Sequence, residues 1–321
     1  MIQCEFHRLL TPFLVVLLTG SPALQAQPEE PDELPDSIFG LGWLDQTQAL
    51  SSSKADALAR QLDRYFGVER SDLEAAYSSL RLITESSWVQ HDGNDLRLRL
   101  RGTLHLPRMN ERLSLIFSED QGEGATYYDP NLNLAEPRST RVNLEVNLRE
   151  RERYRFDFRV GLRSNLKLRS SMRYRYEQSF SEKLLGRLSE TVYFIDGTGF
   201  GAFSQLQFDR TLSESSLLRW STEFRTQEDL PGNEWSTALQ YNVLSKNSGG
   251  ISYFVGMAGN SAHPDIDMYQ TGFRLRRNIA RPWLFWEISP GYRWEKPLLQ
   301  ASYTGSLFTV LRLEMAIGHY Q

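Results

Sequence analysis

The segment Asp95-Leu-Arg-Leu-Arg-Leu-Arg-Gly-Thr-Leu-His-Leu106 constrains this chain more than any other. Extended, it sends Leu96, Leu98, Leu100, Leu104 and Leu106 to one face and Arg97, Arg99 and Arg101 to the other, because successive side chains of a strand alternate sides. The alternation returns at Val142/Leu144/Val146/Leu148, Tyr154/Phe156/Phe158/Val160/Leu162, Trp235/Thr237/Leu239/Tyr241/Val243 and Leu307/Thr309/Leu311/Leu313/Met315/Ile317. Segments of about ten alternating residues separated by turn residues are what a transmembrane β-barrel requires.

The pattern predicts fourteen strands, at 79–91, 95–106, 112–119, 139–149, 153–163, 166–177, 184–195, 201–210, 215–226, 233–244, 250–258, 267–277, 283–294 and 306–320. Alternation is poorest in 79–91 and 184–195, and merging there gives twelve; either count is even, as single-chain bacterial barrels are. The connections then sort themselves by length. One set holds Glu119–Arg138, Gln227–Gly232, Asn260–Ile266 and Glu295–Gly305, with the shorter Asp92–Asn94, Ser164-Asn165 and Asp196–Gly199. The other set is uniformly short: Pro107–Glu111, Glu150–Glu152, Gln178–Lys183, Thr211–Glu214, Ser245–Gly249 and Asn278–Pro282. Long loops belong outside the cell and short turns on the periplasmic side. Aromatics gather near both ends, with Trp88, Phe224, Trp235, Tyr269, Tyr292 and Trp294 near the outer rim and Tyr154, Tyr176, Tyr241 and Trp283 near the inner one. Two such girdles fit the two headgroup boundaries.

A barrel in water also alternates, so the polar faces must decide which face is outside. Arg141, Asn143, Glu145, Asn147 and Arg149 share one strand face, Arg155, Asp157, Arg159 and Arg163 the next, and Lys167, Arg169, Ser171, Arg173 and Arg175 the next. Facing lipid, each arginine at the midplane would cost about 2–4 kcal/mol. The apolar face is therefore the outer one. The lumen-lining set expected from this is Arg97, Arg99, Arg101, Arg141, Glu145, Arg155, Asp157, Arg159, Lys167, Arg169 and Arg173, with Glu190, Glu223, Glu287 and Glu314 as further carboxylate partners. The chain uses 31 Arg against 5 Lys. A planar, always-charged fork suits crowded ion pairs better than a solvated ammonium does, although a GC-rich genome also encodes arginine by default.

Residues 1–26 read as a secretory leader: His7 and Arg8, the apolar run Thr11–Leu18, then Ser21-Pro-Ala-Leu-Gln-Ala26 as the small-residue exit. The run is too short for a spanning helix, which needs roughly 20 apolar residues. The single cysteine, Cys4, precedes that run, so the processed chain has no thiol for a disulfide, a metal or a nucleophile. Residues 27–50 form an acidic, proline-rich linker. Ser51–Gly67 reads as an amphipathic helix with Ala55, Leu58, Leu62 and Tyr65/Phe66 on one face, expected to cap the periplasmic mouth, plug the lumen or meet a partner; residues 78–320 are the barrel. A net charge of −4 offers no basic surplus for nucleic acid.

With leader, hairpin succession and a last alternating strand Leu307–Tyr320, the chain resembles the Gram-negative outer-membrane β-barrels. The block Arg281-Pro-Trp-Leu-Phe-Trp-Glu-Ile-Ser-Pro-Gly-Tyr-Arg-Trp294 is similar to the penultimate strand of uncharacterised proteobacterial members. The resemblance implies location in the cell outer membrane, contact with its lipid, and delivery by the outer-membrane assembly machinery, which reads a terminal aromatic. Here Tyr320 is penultimate and out of phase with Leu313/Met315/Ile317.

Barrel enzymes of that class use a Ser–His pair, usually two residues apart in a strand. None of His91, His105, His263 and His319 sits in such a motif. Ser261, His263, Asp265 and Asp267 share one external loop, where they could support acyl transfer or hold a cation, or simply build turns. The glycines of Gly122-Glu-Gly124 and Asp196-Gly-Thr-Gly199 precede no helix, so a phosphate loop is not indicated, and Asp129-Pro-Asn131 is a turn signal. No catalytic residue, metal ligand or cofactor is assigned. Three readings stay open: a pore whose arginine-rich lumen favours small anionic solutes, a sealed structural or assembly barrel, and a lipid-modifying enzyme using the external loop. Fourteen strands lie between the roughly eight of a side-chain-filled barrel and the about sixteen of an aqueous porin.

Overall fold

The computed structural model describes residues 57–62, 65, 79–105, 113–119, 140–150, 153–163, 167–245, 249–279, 281, 283–296 and 302–317. The expected leader, linker and last residues 318–321 lie outside these. Fourteen strands follow in chain order: β1 (Ser79–Val89), β2 (Gly93–His105), β3 (Leu113–Glu119), β4 (Thr140–Glu150), β5 (Tyr154–Arg163), β6 (Leu168–Ser181), β7 (Leu184–Ile195), β8 (Gly199–Ser213), β9 (Ser216–Gln227), β10 (Glu234–Ser245), β11 (Gly249–Asn260), β12 (Ile266–Asn278), β13 (Leu284–Glu295) and β14 (Thr304–Ile317). Each pairs antiparallel with its sequence neighbours, and β1 pairs with β14 to close the barrel. Closure gives every strand a neighbour on each side, and a closed sheet is the only kind that can satisfy its backbone in hydrocarbon. The two strands of poorest alternation, β1 and β7, are separate strands, so the count is fourteen and not twelve.

The faces are assigned by exposure. Leu96, Leu98 and Leu100 are 71%, 66% and 53% exposed, while Glu85, Asp157 and Asp209 are 1%, 0% and 1% exposed. Apolar outside and charged inside inverts a soluble protein, and so wide an apolar exterior is a membrane surface. Trp88, Phe224, Tyr269 and Trp294 stand exposed at one rim and Tyr241 and Trp283 at the other, as expected of interfacial girdles.

Register shifts occur at Asn147/Arg149, Ser179/Ser181, Thr211/Ser213 and Ala258/Gly259. All lie at strand ends, where a bulge can redirect the chain without spoiling the ladder. The wall is thinnest between β2 and β3, which share only four paired positions among the described residues, Gly102–His105 with Ser114–Phe117.

Glycine buys room inside the wall. Gly272 and Gly291 face each other across β12 and β13. A Cβ on Gly272 would stand 2.8 Å from the Phe254 ring, and one on Gly291 would strike Phe308. The two rings, from β11 and β14, thereby lean over the glycines and join Val89, Ala238 and Val310 in a buried apolar cluster within the lumen.

Candidate functional site

Charged side chains on the inward phase of neighbouring strands meet at matching heights. On β4–β6, Glu145 accepts from Arg159 and lies 3.4 Å from Arg155. Arg155 Nε donates to Asp157 at 2.6 Å, and the other Asp157 oxygen accepts from Arg175. On β6–β9, Asp209 takes both Arg219 and Arg187 at 2.7 Å, and Glu177 lies 3.6 Å from Arg187. The third group spans the closure. Glu287 lies 3.3–3.4 Å from Arg274, Arg276 and Arg312. Glu314 binds Arg276 at 2.7 Å and Arg81 at 3.2 Å, and Glu85 takes Arg312 at 2.8 Å and Arg99 at 2.5 Å.

Bridging two carboxylates at once is what the guanidinium fork does and an ammonium does poorly. Arg155, Arg187, Arg276 and Arg312 each do so here. These charges are buried by protein: Arg276 is 1% and Glu287 2% exposed. Across the three groups ten arginines share seven carboxylates. Positive charge is in excess even where pairing is densest.

Most of the expected lumen residues take part. Arg97 donates to Asp95 at 2.6 Å, Arg173 donates to Thr191 at 3.0 Å, and Arg169 lies over the Tyr193 ring, 4.8 Å from its centroid. Arg101 stands opposite Arg81 in the register. Lys167 lies one residue before β6, beside Gly197 of the Asp196–Thr198 turn. Arg141 pairs with Arg163 through the backbone, and its side chain lies outside the described set. Glu223 accepts from Gln205 at 2.9 Å.

Glu190 departs from expectation. The inward phase of β7 is odd, with Thr191 and Tyr193 1% and 2% exposed, so Glu190 projects from the outer face. There it accepts a hydrogen bond from Ser204 at 2.6 Å and, among the described residues, pairs with no luminal arginine.

The sequence reading also missed Glu85, Arg187, Asp209, Arg219, Arg274, Arg276 and Arg312. Their signal was present: each lies on the polar phase of its strand, as in Arg274/Arg276 and Arg312/Glu314.

One end of the lumen is apolar. Residues 57–62 and 65 are helical. Leu58, Ala59 and Leu62 pack on Leu185 and Leu217, flanked by Tyr65 and Leu244. Leu185 and Leu217 are second in β7 and β9 and Leu244 is next to last in β10, which puts the helix at the short-turn mouth. Tyr65 completes the contact, donating to the Arg276 carbonyl at 2.7 Å and meeting Phe285 edge-on. Burial pushes its hydroxyl pKa up to about 12, against the pull of Arg276 and Arg277.

The external loop assembles no Ser–His pair. Ser261 Oγ accepts from the Asn233 amide at 2.8 Å, His263 lies 3.2 Å from Asp267, and Asp265 binds Lys296 at 2.7 Å. These contacts fasten the loop to its neighbours. His91 occupies a turn at φ 76°, the side chain of His105 lies outside the described set, and so does His319. Among the described residues no three His, Asp or Glu side chains form a metal-binding group.

No family model matches the chain, and no curated protein matches it. Among solved structures, the anion-selective porin from Comamonas acidovorans is 9% identical, covering 75% of this chain and 98% of its own at a TM-score of 0.46. Pseudomonas aeruginosa OccK3 is 9% identical over 76% of this chain and 96% of its own, TM-score 0.45. The KdgM porin in complex with disordered oligogalacturonate is 5% identical over 76% and 99%, TM-score 0.39. At such values the likeness carries no residue-level correspondence.

Proposed function

We propose that the chain is an outer-membrane channel whose arginine-rich lumen favours small anionic solutes. The observation that carries this reading is the excess of ten guanidiniums over seven carboxylates in the paired lumen. A positive surplus held in a low-dielectric wall concentrates anions and repels cations. The ion-paired groups form the constriction, and the helix that carries Leu58, Ala59 and Leu62 covers the periplasmic mouth. Lipid of the outer membrane surrounds the apolar face, and the assembly machinery inserts the barrel.

Planar-bilayer recording tests it. Under a potassium chloride gradient the reversal potential should report chloride preference, and the preference should shrink as salt screens the wall. Arg173→Gln, a neutral change at a half-buried position that can still bond Thr191, should lower the preference while leaving the barrel folded. A second reading, the sealed structural barrel, is favoured by the near-complete burial of Asp157, Asp209, Arg276 and Glu287. It wins if the protein carries no current both with and without the N-terminal helix that carries Leu58, Ala59 and Leu62. Cation preference would sink the anion reading outright.

A further inference from the structure

Between its rims, the outer face of the described strands carries one charged residue, Glu190. It is the seventh of the twelve residues of β7, as far from either headgroup region as a residue of this strand can be. A carboxylate there meets hydrocarbon, and one serine hydroxyl leaves most of its hydrogen-bonding capacity unused. Its surroundings are also polar. Tyr174 is its direct register partner on β6 and Ser204 its partner on β8, with Tyr176 and Gln178 next along β6, bonded to each other at 3.0 Å. Among the described residues the Tyr174 hydroxyl has no hydrogen-bond partner. The opposite wall is different: the outer face of β14 presents Leu307, Leu311 and Leu313, all exposed.

We propose that this β6–β8 patch is a dimer interface whose occupant is a second copy of this chain. The patch is self-complementary. Two copies inserted in the same direction can be related by a two-fold axis along the membrane normal, which keeps height and exchanges lateral position. Tyr174 and Glu190 are side by side at one register position, so an axis passing between β6 and β7 sets each tyrosine against the partner subunit's Glu190. The hydroxyl then donates to the carboxylate, twice per interface, and both groups leave the lipid. Met172 and Val192, register partners one step away and 50% and 55% exposed, supply the apolar flank. The inference needs the apolar face to lie in a membrane and is indifferent to whether the lumen conducts.

The test uses the full-length barrel reconstituted in lipid vesicles. The only native cysteine is Cys4 of the expected leader, so introduced thiols report alone. A mixture of Met172→Cys and Val192→Cys chains should yield a disulfide-linked dimer on mild oxidation, and Leu311→Cys should not. Glu190→Leu should weaken association by about tenfold or more, the loss of two hydrogen bonds to a charged group, while Glu190→Gln, which keeps an acceptor, should retain most of it. A monomeric wild-type protein in vesicles, cross-linking at Leu311→Cys as strong as in the mixture, or association unmoved by Glu190→Leu would each overturn the proposal. The cross-linking arm does not depend on how well the Glu190 variants fold.

Discussion

Two carboxylates, Glu85 and Glu190, sit near the middles of strands on opposite walls, and the barrel treats them oppositely. Glu85 points inward from β1, is 1% exposed, and is held by Arg99 at 2.5 Å and Arg312 at 2.8 Å. Glu190 points outward from β7 and has one serine hydroxyl. A charge buried by protein must be compensated by protein, because no solvent remains to do it. A charge facing lipid has no such compensation within its own chain, so it either pays the transfer cost or recruits a neighbour. The same residue type is thus part of a lattice on one face and a local expense on the other.

The largest expected effect breaks or supports the first half of that contrast. Glu85→Leu leaves Arg99 and Arg312 short of a partner in a buried site, and should destabilise the barrel by about 3–5 kcal/mol in urea-dependent refolding into vesicles. If the cost falls below about 1 kcal/mol, the value of a solvent-screened pair, the lumen at that height is wet and the pairing is not a lattice.

Packing should differ between the faces in the same sense. Gly291→Val inside must displace Phe308, which is 3% exposed and has protein on every side. That should cost about 1–3 kcal/mol, the range for overfilling a packed core. Gly305→Val outside meets Tyr292, whose ring can swing into fluid lipid, so its cost should be smaller. Equal costs for the two would show that the lumen yields as easily as lipid does.

The third expectation reverses sign. In dilute detergent, where the barrel is monomeric, Glu190→Leu should leave stability unchanged or raise it by about 1 kcal/mol, below the roughly 2–4 kcal/mol of a midplane cation because carboxylates cost less there. A loss comparable with that of Glu85→Leu would mean that Glu190 serves the barrel's own fold.

The barrel itself was legible in the sequence because a period of two is a local property, and Leu96/Leu98/Leu100 display it within six residues. The strand count followed from repetition. Which residues pair within the lumen was not legible, since that depends on the register and closure of strands far apart in sequence. Arg312 meets Glu85 only because β14 closes on β1. Glu190 was misread for a related reason: alternation in β7 is weakened by Gly186, Ser189 and Thr191, so the phase could not be fixed from that strand alone. The apolar seat of the helix was visible in principle, as Leu185 preceding Arg187/Ser189/Thr191 and Leu217 preceding Arg219/Ser221/Glu223 on the same phases.

The inner mouth offers the smallest effect and a third environment, in which burial is imposed by a docked helix and can be undone. Tyr65 donates to the Arg276 carbonyl, and burial raises its pKa from 10 to about 12. A pKa raised in the docked state means that docking is at full strength below pH 10 and is lost as pH rises through about 12. Tyr65→Phe removes the hydrogen bond, should weaken docking by about 1 kcal/mol, and should abolish that pH dependence while keeping the ring against Phe285. A thiol placed by Ala59→Cys, at a position 0% exposed in the docked helix, reports the equilibrium through its protection from an impermeant reagent. Protection should fall between pH 10 and 12 in the Tyr65 chain and stay level across that window in the Tyr65→Phe chain, after each is referred to the reactivity of the free thiolate. Parallel profiles would show that the helix is held by Leu58, Ala59 and Leu62 alone, and that the mouth behaves like the lumen wall, closed at every pH.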